Sequence, residues 1–498
     1  MRATIIAYLF SGLLLGAESP LKVSVYATAG GVQRRLATPE SRQRAAESMR
    51  KLGVTRIVLE GRRGDEYVPP ETLRELRGRL SALGFDSSGG IATVPGKTFG
   101  VRQQGALSWL NWEAGATRQG VAEFFRTNAA VFDELVVDDF YCTGDTSPES
   151  EAARAGRDWG AYRRDLLTGL IRPMMIEPAR QVKPGVRMVI KFPQWYDRFH
   201  LFGYDPARMS ALFDRVWVGT EVRNPKTQRM GFVQPTQGYM NYRWLTGVIG
   251  EKVEAAWFDH IECTAQNFVD QAWQSVLAGA RELVLFNLID VVDGHPGHAL
   301  FREALPDMRA AARRVQGKPL QGVAFYKPPN SDPGDNRFLM DYLGMLGVPV
   351  VPVSAYPSQS RAVILGVQAA HDPGLLEKVR AHLKTGARVA MTASLMERVR
   401  APAGVIRLDL RTFSEQDYRD VGEWLLPPKE LAWLDMSRER ADELRKSLGV
   451  ELSAPVQIAY YRFGRDEALY SFRDDNVSVR LRGKTVKVPA HAMVWVRP

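Results

Sequence analysis

Between residues 22 and 316 the chain repeats one unit eight times: a short apolar run, a polar turn, then a stretch with helical spacing. The apolar runs fall at 22–28, 56–60, 90–94, 134–140, 187–192, 215–220, 253–258 and 282–288. They are short, often β-branched and apolar on both faces, as parallel strands covered by helices must be. Amphipathic stretches at 41–52, 70–83, 120–132, 162–181 and 266–280 supply the helices. Helix starts are marked by Thr38-Pro39-Glu40, Pro69-Pro70-Glu71 and Asp205-Pro206, and Gly84, Gly185 and Gly317 stand where helices end. Eight βα units in about 300 residues predict an α/β fold of the (β/α)8 TIM barrel type. A doubly wound open sheet rarely needs so many consecutive units, and no glycine fingerprint follows the first run.

The pattern changes near Pro319. Runs at 323–326, 348–353, 362–365 and 388–392 alternate with helical stretches at 337–346 and 373–385, which predicts a second α/β domain. In the last fifty or so residues, runs at 457–461, 468–472, 477–481, 484–488 and 492–496 are separated by turns such as Arg482-Gly483, the mark of a small antiparallel β-module. The expected domains are therefore a barrel over 20–318, an α/β domain over 319–430 and a small β-sandwich over 431–498. Residues 1–19 read as a signal peptide: Arg2 supplies the positive start, 5–15 are mostly apolar, and Gly16-Ala17-Glu18-Ser19 follow. That run is too short for a membrane span. The expectation is an exported protein, periplasmic or extracellular.

Composition narrows the partners. A chain of 498 residues with 45% hydrophobic and 24% charged content is globular and multidomain. The net charge of +10 comes from basic residues scattered along helices, as at Arg74, Arg77 and Arg79, and not from a basic run with interleaved aromatics. A nucleic-acid partner is not expected. Cys142 and Cys263, the chain's two cysteines, make no disulfide framework.

In a barrel the chemistry sits where strands end and loops begin. The first run offers Tyr26, the second Glu60, the fourth Asp138 and Asp139, and the fifth Lys191 and Trp195. Glu221 and Arg223 follow the sixth, Asp259 and Glu262 the seventh, and Asn287 the eighth. Carboxylates facing one another across a mouth are what glycoside hydrolysis requires, one to protonate the leaving oxygen and one to attack or to activate water. Burial and mutual repulsion would separate their pKa values. Asp138, Asp139, Glu221 and Asp259 are the catalytic candidates. Tyr26, Glu60, Lys191, Trp195, Arg223, Tyr239, Glu262 and Asn287 are the candidates for holding a polyhydroxylated ligand. Since successive strand residues point to opposite faces, one of the tandem aspartates should face the axis and the other the helical layer. Arg223 is the expected ionic partner of Glu221. Any single acid after a strand also has a plainer use as the N-cap of the next helix. His295 and His298, or His260 with Cys263, hint at a metal, but no CxxC or HExxH accompanies them. No metal and no cofactor is expected.

The segment HDPGLLEKVRAHLKTGARVAMTAS resembles the flavodoxin-like, amidotransferase-type domain that follows the barrel in family 42 β-galactosidases. No cysteine lies beyond residue 263, so the amidotransferase nucleophile is absent. The resemblance implies a structural domain that shapes the cleft or joins copies into a homo-oligomer. The order of parts is similar to the same family and its clan, whose acid/base Glu stands in an Asn-Glu pair after strand 4. Here Asp138-Asp139 takes that place. An Asp after strand 4 paired with an acid after strand 6 resembles α-galactosidase-type barrels, and VVDDFY resembles the tandem aspartates of family 84 hexosaminidases. With the acids at the strand ends and the leader-like residues 1–19, the expectation is an exported glycoside hydrolase acting on oligo- or polysaccharides. The alternative is a non-catalytic carbohydrate-binding or scaffold protein on a degenerate barrel, and a third reading is a metal-dependent hydrolase.

Overall fold

The computed structural model describes residues 21–105, 107–225, 234–412, 414 and 436–496; the segment read as a signal peptide and the expected boundary at 430/431 lie outside them. Eight parallel strands form the first domain. They are β1 (Lys22–Ala27), β2 (Arg56–Arg63), β3 (Asp86–Ala92), β4 (Glu134–Val137), β5 (Arg187–Phe192), β6 (Arg215–Gly219), β7 (Val253–Asp259) and β8 (Glu282–Phe286). Tyr26 of β1 lies opposite Val58 of β2 on one side and Phe286 of β8 on the other, which closes the ring. A two-residue strand, Glu66–Tyr67, folds back on the end of β2 as a hairpin.

Alternation along the strands builds the interior in layers. Tyr26, Val58, Val136, Val189, Trp217, Ala255, Trp257 and Val284 pack together along the axis. Below them, Arg56 bridges Glu134 and Glu282, and Ser24 donates to Glu282, a polar floor whose charges are paired. Two residues beyond the apolar layer, towards the C-terminal ends, stand Glu60, Asp138, Lys191 and Asp259. Gly90 matters to this stacking, because a Cβ there would come within 2.8 Å of the Tyr26 hydroxyl oxygen. The missing side chain lets the Tyr26 ring reach across the axis.

The helix expected over 162–181 is three pieces: an α-helix at Trp159–Ile171, a wider π-type turn at Arg172–Ile176, and an α-helix at Glu177–Val182. Pro173 and Pro178 have no N–H to donate, which interrupts the ladder where the turn widens.

The second domain is a parallel sheet of β9 (Val323–Tyr326), β10 (Val350–Val353), β11 (Ala362–Leu365), β12 (Arg388–Thr392) and β13 (Ile406–Leu408), in the order β10-β9-β11-β12-β13. That order is flavodoxin-like. Its three-residue edge strand β13 has too short a pattern to stand out in the sequence. The C-terminal part holds a helix, Arg438–Ser447, and six short strands. These are β14 (Leu452–Ser453), β15 (Ile458–Phe463), β16 (Asp466–Ser471), β17 (Val477–Leu481), β18 (Lys484–Val488) and β19 (Met493–Val496). They form two three-stranded antiparallel sheets, β14-β17-β18 and β15-β16-β19. Tyr461 donates to Gln274 at 2.5 Å and Tyr470 to Asp270 at 2.6 Å, which seats the second sheet on the barrel helix Ala265–Leu277. Among the described residues no helix is long and apolar enough to cross a membrane.

Candidate active site

The mouth at the C-terminal ends of the strands holds a continuous ionic network. Its centre is Lys191, the inward residue near the end of β5. The ammonium lies 2.6 Å from Asp139 Oδ2, 3.0 Å from Glu221 Oε1 and 3.7 Å from Asp138 Oδ1, and 4.3 Å above the Trp257 ring. It is 2% exposed, so the carboxylates stand over a cation sealed into the floor of the mouth.

Both tandem aspartates reach this cation, contrary to the expectation that one would face the helices. β4 stops at Val137, and the backbone turns immediately after it, so strict alternation no longer applies. The Asp139 N–H donates to Asp138 Oδ1 at 2.8 Å, and the Tyr204 hydroxyl donates to the Asp139 carbonyl oxygen. Asp138 is also held by Arg63, whose Nη2 lies 2.8 Å from Asp138 Oδ2 and 2.8 Å from Glu60 Oε1. Glu60 in turn accepts from the Tyr26 hydroxyl at 2.7 Å and from the Ala29 N–H at 2.7 Å.

The surroundings set these acids apart. Burial pushes Asp139 up to about 7, reinforced by the charges of Asp138 and Glu221 and opposed by Lys191. Burial acts on Asp138 as well, but Lys191 and Arg63 together outweigh it and hold that carboxyl below its usual range. Glu221 is raised, chiefly by burial, and its buried Oε2 has no hydrogen-bond partner among the described residues. Gly219 makes room for that carboxylate, since a Cβ there would fall 2.6 Å from Glu221 Oε2. The mouth thus places an ionised carboxylate beside one that exchanges its proton near neutrality.

Arg223 is not the partner of Glu221 that its spacing implied. It forks onto Asp259, with Nη2 2.7 Å from Oδ2 and Nε 3.1 Å from each oxygen. Asp259 also accepts from the Ile261 N–H at 3.1 Å, so its oxygens are fully occupied. Arg223 of this pair and Glu262, three residues after Asp259, have left-handed φ of 53° and 57°. Such backbone strain in side-chain-bearing residues clusters at functional sites.

Tyr26, Glu60, Asp138, Asp139, Lys191, Glu221, Arg223 and Asp259 are therefore brought together. Trp195 stands half-buried on the loop after β5, packed on Trp109 and Phe202. Glu262 lies half-buried on the loop after β7. Asn287 serves as a cap: its Oδ1 accepts from the Ile289 N–H at 2.8 Å at the start of the helix Leu288–Asp293. Tyr239 is not in the mouth. It is buried in the outer helix Gln237–Ile249, its ring 4.7 Å from that of Tyr461 in the C-terminal sheet. Arg63 escaped the sequence reading, although it follows Glu60 closely on the same strand. The histidines form a chain beside the mouth, with His260 Nε2 2.9 Å from His298 Nε2 and His295 Nε2 3.1 Å from the Cys263 carbonyl oxygen. Among the described residues no group of three or more His, Cys, Asp or Glu is arranged to hold a metal ion. Cys142 and Cys263 are free thiols.

Residues 13–303, more than half of the chain, match the family described as "Probable glycosyl hydrolase, catalytic domain". The chain belongs to this family. Residues 318–417 match the second domain of "Uncharacterized protein SSO3021". The protein of that name from Saccharolobus solfataricus is 23% identical over 362 residues, 66% of this chain and 59% of the relative. The match thus spans less than two thirds of the relative's length. Among solved structures, β-galactosidase from the psychrophilic Marinomonas ef1 superposes with a TM-score of 0.61 at 12% identity, covering 96% of this chain and all of that one. The α-L-fucosidase isoenzyme 2 of Paenibacillus thiaminolyticus superposes with a TM-score of 0.57 at 11% identity, covering 94% and 90%. At these identities the likeness is one of fold. The glycosyl hydrolase domain, the flavodoxin-like domain and the C-terminal β-region thus follow an architecture found in glycosidases.

Proposed function

We propose that the barrel hydrolyses glycosidic bonds, with Asp139 as the general acid and Glu221 as the opposing carboxylate. The observation that carries this reading is the shared ammonium of Lys191, which holds Asp139 and Glu221 within hydrogen-bond reach of one point, while the surroundings push Asp139 up and hold Asp138 down. A carboxyl that titrates near 7 can give its proton to a leaving oxygen and recover it from water. Asp138, kept ionised by Arg63 and Lys191, supplies negative charge next to a developing oxocarbenium ion. Asp259 is a poorer nucleophile, because Arg223 occupies both of its oxygens. Trp195 offers a ring at the rim for stacking on a pyranose face. The substrate class is an oligo- or polysaccharide, and the leader-like residues 1–19 support export to the periplasm or the outside of the cell.

The test is turnover of a panel of aryl glycosides and oligosaccharides by the wild type and by Asp139→Asn, Glu221→Gln and Asp138→Asn. Loss of about 10²–10⁴-fold in kcat for Asp139→Asn is expected of a general acid. Cleavage by the wild type that all three variants match would overturn the assignment. Glycan binding by calorimetry with no turnover across the panel would establish the binding-only reading instead.

A further inference from the structure

The loop after β5 and the loop after β6 both carry groups of the mouth, and both are tied to one short helix of the flavodoxin-like domain. That helix is Leu339–Met345, and all of its residues are buried. The Tyr196 hydroxyl, from the β5 loop, donates to Asp341 Oδ1 at 2.7 Å. The Thr236 hydroxyl, from the β6 loop, donates to the Asp341 carbonyl oxygen at 2.6 Å. One residue later in the β5 loop, Asp197 accepts from the Phe338 N–H at 2.6 Å and lies 3.5 Å from Lys327 Nζ. Gly344 lets the helix approach so closely, since a Cβ there would stand 3.0 Å from Thr236 Cβ and 2.8 Å from Met240 Cε.

We propose that Asp341 is a positioning residue for the mouth, a clamp by which the flavodoxin-like domain fixes the β5 loop relative to the end of the β6 loop at Thr236. The consequence reaches the acids by short paths. Tyr196 adjoins Trp195, and the same loop continues to Tyr204, whose hydroxyl bonds the carbonyl of Asp139. Thr220 and Glu221 follow β6 directly, and Gln234 and Thr236, just before the helix Gln237–Ile249, are buried. Asn241, one turn on from Gln237 in the same helix, donates to the carbonyls of Pro193 and Gly219 at 3.0 and 2.8 Å, so that helix also ties the start of the β5 loop to the end of β6. The β5 loop has a second buried anchor in Asp197, but Asp341 is the residue that serves both segments, its carboxylate taking Tyr196 and its carbonyl oxygen taking Thr236. The second domain then contributes to catalysis without touching the substrate. It keeps Asp139 and Glu221 at the spacing that their shared lysine requires.

This inference rests on the glycosidase reading for its effect on turnover, but the clamp itself can be tested without it. Tyr196→Phe and Thr236→Val each remove one hydroxyl and keep the side chain's shape, so both variants should fold. Amide hydrogen exchange in the full-length protein is measured by mass spectrometry over peptides covering 193–204 and 234–241, with peptides from β1 and β2 as an internal reference. Each variant is expected to speed exchange about tenfold in its own loop and measurably in the other, with the reference strands unchanged. On a cleaved glycoside, Tyr196→Phe is expected to lower kcat about tenfold with KM nearly unchanged. Exchange equal to wild type in both loops for both variants overturns the clamp, and so does faster exchange with an unaltered kcat, since the loops would then be free to move without consequence. If no glycoside is cleaved by the wild type while the two loops still loosen together, the glycosidase reading falls and the clamp stands.

Discussion

Lys191 Nζ donates to Asp139 Oδ2 at 2.6 Å from a position almost closed to solvent. A lysine so placed would lose its charge to desolvation if it stood alone. Here Asp139, Glu221 and Asp138 more than offset that loss, and its pKa is raised above the ordinary value. The cation and the acids therefore stabilise each other's charged forms, and the mouth titrates as a coupled group.

That coupling fixes the pH dependence. Asp139 must be protonated to act as an acid, and it loses its proton near 7. Asp138 stays ionised to below the ordinary carboxylate range. A bell-shaped profile of kcat/KM is expected, with an alkaline limb near pH 7 and the descent on the acid side set by protonation of Glu221, which burial raises above the ordinary carboxylate value. A rate that keeps rising through pH 8 on a well-cleaved aryl glycoside would count against Asp139 as the acid.

Replacing the central cation moves that limb in a definite direction. In Lys191→Met the pull on Asp139 disappears while the repulsion from Asp138 and Glu221 remains, so Asp139 titrates higher and the alkaline limb shifts above pH 7. Three acids are left facing one another in a buried site, and removing one partner of a buried ion pair costs about 3–5 kcal/mol. Chemical denaturation should show a loss of that order, and the pH–rate profile of the residual activity should show the upward shift.

The same geometry bears on stereochemistry. The nearest oxygens of Asp139 and Glu221 are separated by no more than two hydrogen bonds laid end to end, of 2.6 and 3.0 Å. Retaining glycosidases hold their carboxyls about 5–5.5 Å apart and inverting ones about 6.5–9.5 Å. Retention is expected, and proton NMR of the first-formed anomer reads it directly. Initial release of the inverted anomer would mean that water, and not Glu221, attacks the sugar.

The layering of the barrel explains which site residues could be read from the sequence. Glu60, Asp138, Lys191 and Asp259 each lie two positions beyond a residue packed on the axis, so alternation alone points them into the mouth. Arg63 breaks that rhythm. A register shift between Glu60 and Arg62 puts two residues three apart on the same side, and such a bulge has no signature in the apolar pattern. Tyr239 failed for another reason. Its helix is aromatic enough to line a cleft, but the C-terminal sheet covers it, and one sequence does not say which neighbour will claim an apolar face. The pairing of Arg223 with Asp259 was likewise hidden, because it joins the loop after β6 to the end of β7 through side chains 36 positions apart.

The histidine chain beside the mouth gives a prediction about stability in which each proton can be assigned. His260 Nδ1 lies 2.9 Å from the Phe286 carbonyl oxygen and must donate to it, so His260 Nε2 accepts from His298 Nε2. His298 Nδ1 accepts from the His295 N–H at 3.3 Å, which makes His298 neutral as well. A second proton on either ring would set two N–H groups against each other. Burial drives His260 down to about 3, with further repulsion from its histidine neighbours, and His298 down to about 4. Asp290, 3.9 Å from His260 Nδ1, is the acid facing the chain and is too distant to reverse this. A histidine whose folded pKa is depressed stabilises fully above its unfolded value, near 6.5, and loses that contribution as pH falls towards its folded value. For His260 the loss is about 1.4 kcal/mol per pH unit below 6.5. His260→Phe keeps the stacking on Phe268 and cannot titrate. It should be less stable than wild type at pH 7.5, with the gap narrowing between pH 6.5 and 5 in urea denaturation. Because buried acids such as Asp139 and Asp270 contribute slopes of the opposite sign in both proteins, the difference between the two curves isolates His260. Parallel curves over that range would show that His260 does not stay neutral in the folded protein.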